Sequence, residues 1–227
     1  MATLSLIRIR APIRFFDALE IQKLHGAELE KSPEQLAKLM FLQHQPVYTL
    51  GRSTDPSHLL CSEHDLAART GAEVIRADRG GSVTFHGPGQ LVVYLLLNLR
   101  VWNLGIHEHL RLLEEATIGG LRRFGIEGRR QDGMTGIWVR GEGQSAAEKV
   151  CAIGVSARRW VTYHGLSLNV DMPLESFQEI IPCGLKGHGV TSMARILNSP
   201  VSISEVETAM AEAFGDAYRA KVEIGMV

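Results

Sequence analysis

The segment Leu91 to Leu97 has an apolar or aromatic side chain at every position. Alternate residues of a strand point to opposite faces, so this strand has no face to give to water. It predicts a central strand of a sheet covered on both sides. A stretch of the opposite character precedes it. Residues Arg79, Gly80, Gly81, Ser82, Val83, Thr84, Phe85, His86, Gly87, Pro88, Gly89 and Gln90 include four glycines and a proline. Glycine lets backbone amides approach a ligand, and proline stiffens a turn. A glycine-rich loop over Arg79–Gln90 that lines a ligand is therefore expected. No Gly-Lys-Ser/Thr follows it, so it is not a Walker loop, and no helical pattern starts at Gln90, so it is not a dinucleotide fingerprint.

Around this pair, helix-like and strand-like segments alternate, which predicts one mixed α/β domain over residues 1–227. A helix is expected over Phe15–Leu29, with Phe16, Leu19, Leu24 and Ala27 on its inner side. Leu39–Leu50 reads as a strand that Pro46 bulges or confines to an edge. Ser62 and Asp65 open a short helix that Gly71 ends, and Ala72–Ala77 is a strand. Ile106, Leu110, Leu113, Thr117, Leu121 and Phe124 give a long helix one apolar face, with Gly125 placed to end it. Strands follow at Gly136–Arg140, Lys149–Ala157 and Thr162–Val170, with a hairpin loop at Gly141–Ala147. Ser204 and Glu207 read as a capping box for a last helix that buries Val206, Met210, Phe214 and Ala217.

Lys plus Arg is 24 and Asp plus Glu is 25, a formal net charge of -1. That balance argues against bulk phosphate neutralisation, and so against a nucleic-acid partner. No stretch approaches the roughly 18 apolar residues of a membrane span. Arg8, Arg10 and Pro12 break the N-terminal apolar run before a secretory segment can form. The cysteines are Cys61, Cys151 and Cys183, widely spaced and without a CxxC pair, which fits free thiols in a reducing cytoplasm. No HExxH occurs, and His107 and His109 diverge on a helix, so no metal site is read.

Cys183 lies between Pro182 and Gly184, in a turn rather than on a packed strand. Its thiol can be reached there, and the Gly184 amide is free to face an oxyanion. A thiol of ordinary pKa, about 8.5, is mostly protonated at neutral pH and needs a base or cation nearby. Two lysines are open candidates: Lys186, three residues further on, and Lys149, which enters an otherwise apolar strand where an ammonium is costly to bury.

These segments together resemble the octanoyltransferases of lipoate biosynthesis. The resemblance is carried by Tyr48-Thr49-Leu50-Gly51-Arg52, by Arg79 through Gln90, and by Lys149 through Gly154. It continues with His164 through Val170, Ile181 through Gly184, and Gly189 through Ser192. It implies a biotin/lipoate protein ligase catalytic domain, a single α/β domain with mixed sheets. It implies that Cys183 carries the acyl group and that Lys149, rather than Lys186, is the essential lysine. The substrate pocket falls on Arg79, Gly80, Gly81, Ser82, Val83, Thr84, Phe85, His86, Ala152, Ile153, Gly154, Gly165, Leu166 and Ser167. The implied donor is octanoyl-acyl carrier protein. The implied acceptors are lipoyl domains of 2-oxo acid dehydrogenase complexes and the glycine cleavage H protein. No metal, nucleotide or other cofactor is needed, because a thioester is already activated, and no membrane is involved. An ATP-dependent ligase of the same fold is the alternative, and a non-catalytic acyl-binding module is another. Acidic partners would be met by Arg122, Arg123, Arg129 and Arg130 or by Arg158 and Arg159, unless neighbouring acids balance these arginines.

Overall fold

The computed structural model describes residues 2–32, 34, 36–140, 146–181 and 188–225. In chain order the elements are β1 (Thr3–Arg8), α1 (Phe15–Leu29), β2 (Leu36–Leu42), β3 (Val47–Leu50), α2 (Glu63–Thr70), β4 (Glu73–Arg76) and β5 (Val83–His86). They continue with β6 (Gln90–Leu97), α3 (Ile106–Arg122), β7 (Arg129–Gln131), β8 (Met134–Val139), β9 (Glu148–Arg158) and β10 (Val161–Asn169). Last come α4 (Met193–Leu197), α5 (Ile203–Tyr218) and β11 (Lys221–Ile224). Eight strands form one mixed sheet in the order β11-β1-β2-β6-β10-β9-β8-β7, and β4-β3-β5 form a second.

Strand β6 is central, as its sequence requires. Leu91, Val93, Leu95 and Leu97 face a core shared with Leu113, Leu121, Met210 and Phe214 of α3 and α5. Val92, Tyr94 and Leu96 face the other way, toward Ala18 and Leu29 of α1. Ser62 caps α2 by accepting the Asp65 N–H, and Gly71 ends it in a left-handed conformation. Both follow from local chemistry alone.

Four expectations are corrected. Leu39–Leu50 is two strands in two sheets: β2 pairs with β6, and β3 pairs with β4 and β5. The 79–90 stretch is not all loop, since β5 lies inside it. Helix α1 buries Phe15, Ala18, Gln22, Gly26 and Leu29, while Phe16 and Leu24 are 49% and 68% exposed. The reason is across the interface. A Cβ on Gly26 would lie 2.2 Å from Tyr163 Oη, so β10 seats against the smallest residue of the helix. Helix α5 begins at Ile203 behind Ser202, so Ser204 and Glu207 form no capping box. Glu207 is instead buried and paired with Arg8 of β1 at 3.1 Å. The short strands β1, β7 and β11 have no signal in the sequence reading.

Candidate functional site

A cavity of about 470 Å³, including its open mouth, lies between β6, β9 and β10 of the large sheet and β5 of the small one. Antiparallel register sets its floor. Ser167 pairs with Val92 and Ala152, and Gly165 pairs with Tyr94 and Gly154, so both triplets present the same face. Strand β5 faces them with Thr84 and His86, while Arg79, Gly81 and Ser82 come from the loop before it. The lining thus includes Arg79, Gly81, Ser82, Thr84, His86, Ala152, Ile153, Gly154, Gly165, Leu166 and Ser167 of the sequence-derived pocket. Gly80 stands behind it: its N–H donates to Val155 O at 2.9 Å, and its carbonyl would lie 2.8 Å from a Cβ on Gly154. Only glycine at 154 lets the loop ride over β9 this closely. Val83 and Phe85 do not line the cavity. Strand alternation turns them into a separate core with Tyr48, Leu66 and Phe177.

Arg79 is buried and donates to Thr49 O at 2.6 Å, to Thr49 Oγ1 at 2.7 Å and to Gly80 O at 3.0 Å. The Thr49 hydroxyl, accepting from Arg79, donates to His86 Nε2 at 3.2 Å. His86 Nδ1–H donates to Gln90 Oε1 at 2.7 Å. Gln90 Nε2 donates to Asn169 Oδ1 at 2.9 Å, and Asn169 Nδ2 to Thr191 O at 3.0 Å. Thr191 N–H then donates to Lys149 O at 3.0 Å. This unbroken chain ties the glycine-rich loop to the backbone of Lys149. Each buried polar group in it is satisfied, which makes the arrangement rigid.

Lys149 is buried at the edge of an adjoining cavity of about 240 Å³. The two cavities share Thr84, Ala152 and Ser167. Lys149 Nζ donates to Thr135 O at 3.1 Å and sits 4.7 Å from the centre of the Trp138 ring. Among the described residues its partners are a carbonyl and an aromatic face. His188 packs edge-on against the same tryptophan, with ring centres 5.2 Å apart. Cys183 and Lys186 lie outside the described residues, as do residues 141–145 of the expected hairpin loop. Cys151 is fully buried and its thiol is pushed up to about 12 by desolvation, which leaves it inert.

Phe15 and Tyr94 line the cavity without a motif signal, and His164, which opens the 164–170 stretch, lines it although the sequence-derived pocket left it out. Phe15 closes the cavity from the first turn of α1, between His44 at 5.5 Å and His164 at 6.1 Å. Tyr94 donates its hydroxyl to His44 Nε2 at 2.6 Å. His164 has a φ of +62°, which turns it off the extended path of β10. Gln22 Oε1 of α1 holds it there by accepting its N–H at 2.7 Å. Burial lowers His44 and His164 to about 4 and His86 well below its ordinary value, so all three rings are neutral at pH 7. His58 is a further residue without a signal. It bonds Ser82 Oγ through Nδ1 at 2.6 Å, and its carbonyl accepts the Ile181 N–H at 2.8 Å.

The expected basic surface is largely neutralised. Arg123 pairs with Glu212 and Asp216, Arg129 with Glu127, Arg130 with Glu114 and Glu115, and Arg159 with Glu30. No helix among the described residues is long and apolar enough to cross a membrane.

Comparison with known proteins places this architecture. A family model described as the lipoyl protein ligase A/B catalytic domain matches residues 15–215. An octanoyltransferase of Flavobacterium johnsoniae is 47% identical over 169 residues, which is 74% of this chain and 70% of that protein. An octanoyltransferase of Christiangramia forsetii is 43% identical over 185 residues, 81% of this chain and 78% of that one. In structure, a bi-partite lipoate protein ligase from Thermoplasma acidophilum superposes with a TM-score of 0.79 at 14% identity. That likeness covers 100% of this chain and 88% of the other, and it establishes the fold. The chain belongs to the lipoyl protein ligase A/B catalytic-domain family.

Proposed function

We propose that the chain is an acyltransferase of lipoate biosynthesis. It takes the octanoyl group of octanoyl-acyl carrier protein onto Cys183 and passes it to one lysine of a lipoyl domain. The acceptors are the lipoyl domains of 2-oxo acid dehydrogenase complexes and the glycine cleavage H protein, met in the cytoplasm. The catalytic unit is the single domain over 1–227. The observation that carries the reading is the adjacency of the two cavities: the pocket lined by Arg79, Thr84 and His86 shares Thr84, Ala152 and Ser167 with the cavity that Lys149 lines. The names of the sequence relatives supply the acyl group.

In the first step the Cys183 thiolate attacks the thioester carbonyl, the new C–S bond forms, and the carrier thiolate leaves with the proton of the Lys149 ammonium, which is left neutral for the second step. Lys149 as an ammonium favours the Cys183 thiolate. In the second step the acceptor amine attacks, an amide forms and the Cys183 thiolate leaves. A neutral Lys149 takes the proton that the amine gives up. Arg79, Gly81, Ser82, Thr84 and His86 hold one side of the acyl chain, and Ala152, Ile153, Gly154, Gly165, Leu166 and Ser167 the other. The first transfer exchanges one thioester for another and the second runs downhill from thioester to amide, so the acyl group needs no further activation by ATP or a metal.

Incubation with octanoyl-acyl carrier protein followed by intact mass and peptide mapping tests this. The expected result is one octanoyl group on Cys183, discharged by a lipoyl domain and absent from Cys183→Ala. Acylation of Cys61 or Cys151, or full activity in Cys183→Ala, overturns it. Octanoyl-adenylate formed from octanoate and ATP would put the chain with the ligases instead.

A further inference from the structure

We infer that Phe15, backed by His164, is the end wall of the acyl cavity and sets the length of chain the protein accepts. The inference rests on the reading of this cavity as an acyl site, and names what limits it.

The cavity has a direction. Its layer of Ser167 and Ala152 also belongs to the cavity that holds Lys149, so the reacting carbonyl belongs at that end. The next layer along the strands is Gly165, Gly154 and Tyr94. Two of its three members have no side chain, which leaves a passage over the sheet. One residue further along β10 the passage meets His164. A regular strand would point residue 164 to the opposite face from Gly165. The φ of +62° breaks that alternation, and His164 lines the cavity instead.

His164 then stacks on Phe15, with ring planes 9° apart. Both residues are held from other elements. His164 is tethered through its backbone to Gln22, and Phe15 is 2% exposed with His44 on its other side. A left-handed backbone at a buried, non-glycine residue is costly and calls for a reason. Building this wall supplies one.

The length agrees with the chemistry. From Ser167 to His164 is three residues, about 10 Å at the rise of a strand. An extended octanoyl chain, with C–C bonds of about 1.5 Å in a zigzag, spans about 9 Å from carbonyl to methyl carbon. A decanoyl chain would have to push into the Phe15 ring.

The test compares octanoyl- and decanoyl-acyl carrier protein as donors to a lipoyl domain, using the full chain and Phe15→Ala. The ratio of kcat/KM for decanoyl over octanoyl should rise about tenfold in the variant, the effect of a methylene gaining or losing its place in an apolar pocket. Phe16→Ala, at the exposed neighbour, should leave the ratio unchanged. Phe15→Leu keeps an apolar side chain in the core, and is the variant to read if Phe15→Ala does not fold. It should move the ratio the same way by less. A folded Phe15 variant with the wild-type ratio overturns the inference, as does an equal shift in Phe16→Ala. Calorimetric binding of free octanoate and decanoate gives an arm independent of turnover. If the wild-type chain transfers no acyl group, the proposed function fails. The wall then stands or falls on whether Phe15→Ala moves the binding preference from octanoate toward decanoate.

Discussion

The two faces of β6 are built from alternate residues of one strand, yet they obey different rules. Toward α3 and α5 the strand shows Leu91, Val93, Leu95 and Leu97, and the space is filled by leucine, methionine and phenylalanine side chains. Toward the cavity it shows Gln90, Val92 and Tyr94, and the neighbours are glycines, neutral histidines and a buried arginine. The first face gains stability from area removed from water. The second gives up part of that area to keep a cavity and a hydrogen-bonded chain from Arg79 to Lys149. Replacing a side chain on the helical face should therefore cost stability, and on the cavity face it should cost chemistry.

Lys149 gives the largest expected effect. Lys149→Met keeps an apolar stem against Trp138 and removes the amine. Acyl transfer to a lipoyl domain should fall roughly 10²–10⁴-fold, the usual worth of a general acid or base, with the melting temperature nearly unchanged. Alkylation of Cys183 at neutral pH should slow as well. A variant that melts far lower but keeps its turnover per folded molecule would make this face structural and break the comparison.

Leu95→Ala is the converse. Leu95 is fully buried on the helical face. Its truncation should cost about 2–5 kcal/mol, a fall of about 10 °C in melting temperature for a chain of this size. The kcat/KM of the folded fraction should stay within about twofold. A large change in KM would show that the two faces are coupled through β6.

The third prediction is smaller and sharpens the contrast through pH. His44 and His164 on the cavity face and His109 beside α5 are all lowered to about 4 by burial. Unfolded, such a group titrates near 6.5. The unfolded chain takes up protons first, so the stabilisation is complete above about pH 6.5 and is lost as pH falls toward 4. His109 packs against Tyr218, away from the cavity. His109→Gln should reduce the loss of stability between pH 7 and pH 5 by about 2 kcal/mol and leave the pH profile of acyl transfer as it was. Denaturant midpoints at the two pH values measure the first, and initial rates the second. An unchanged acid sensitivity would mean that His109 does not titrate on unfolding.

The legibility of the site in the sequence divides along similar lines. Arg79 through His86 is one continuous stretch, and its glycines announce a loop that approaches something closely. Lys149 is visible as a charge opening an apolar strand. Phe15 and Tyr94 are not visible in this way, because each looks like ordinary core, and His164 opens a recognisable stretch without announcing a place in the cavity. A partial signal was present in the period of β6: Gln90, Val92 and Tyr94 share a face, and Gln90 is the one polar member. For His164 no periodicity helps, since its place in the cavity comes from a backbone turn that Gln22 of another element holds.

Local chemistry alone determined the central place of β6, the caps of α2, and the glycine-rich loop with its arginine. Each rests on contacts within a few residues, or on a period that only one environment satisfies. Tertiary structure decided which face α1 buries, because Tyr163 of β10 needs the space that Gly26 leaves. It decided that residues 39–50 serve two sheets, and that Glu207 answers Arg8 rather than capping its own helix. It also decided that residues 15, 79, 81, 82, 84, 86, 152–154 and 164–167 meet around one cavity. Those choices depend on pairing between segments far apart in the chain, and the pairing energy belongs to neither segment by itself.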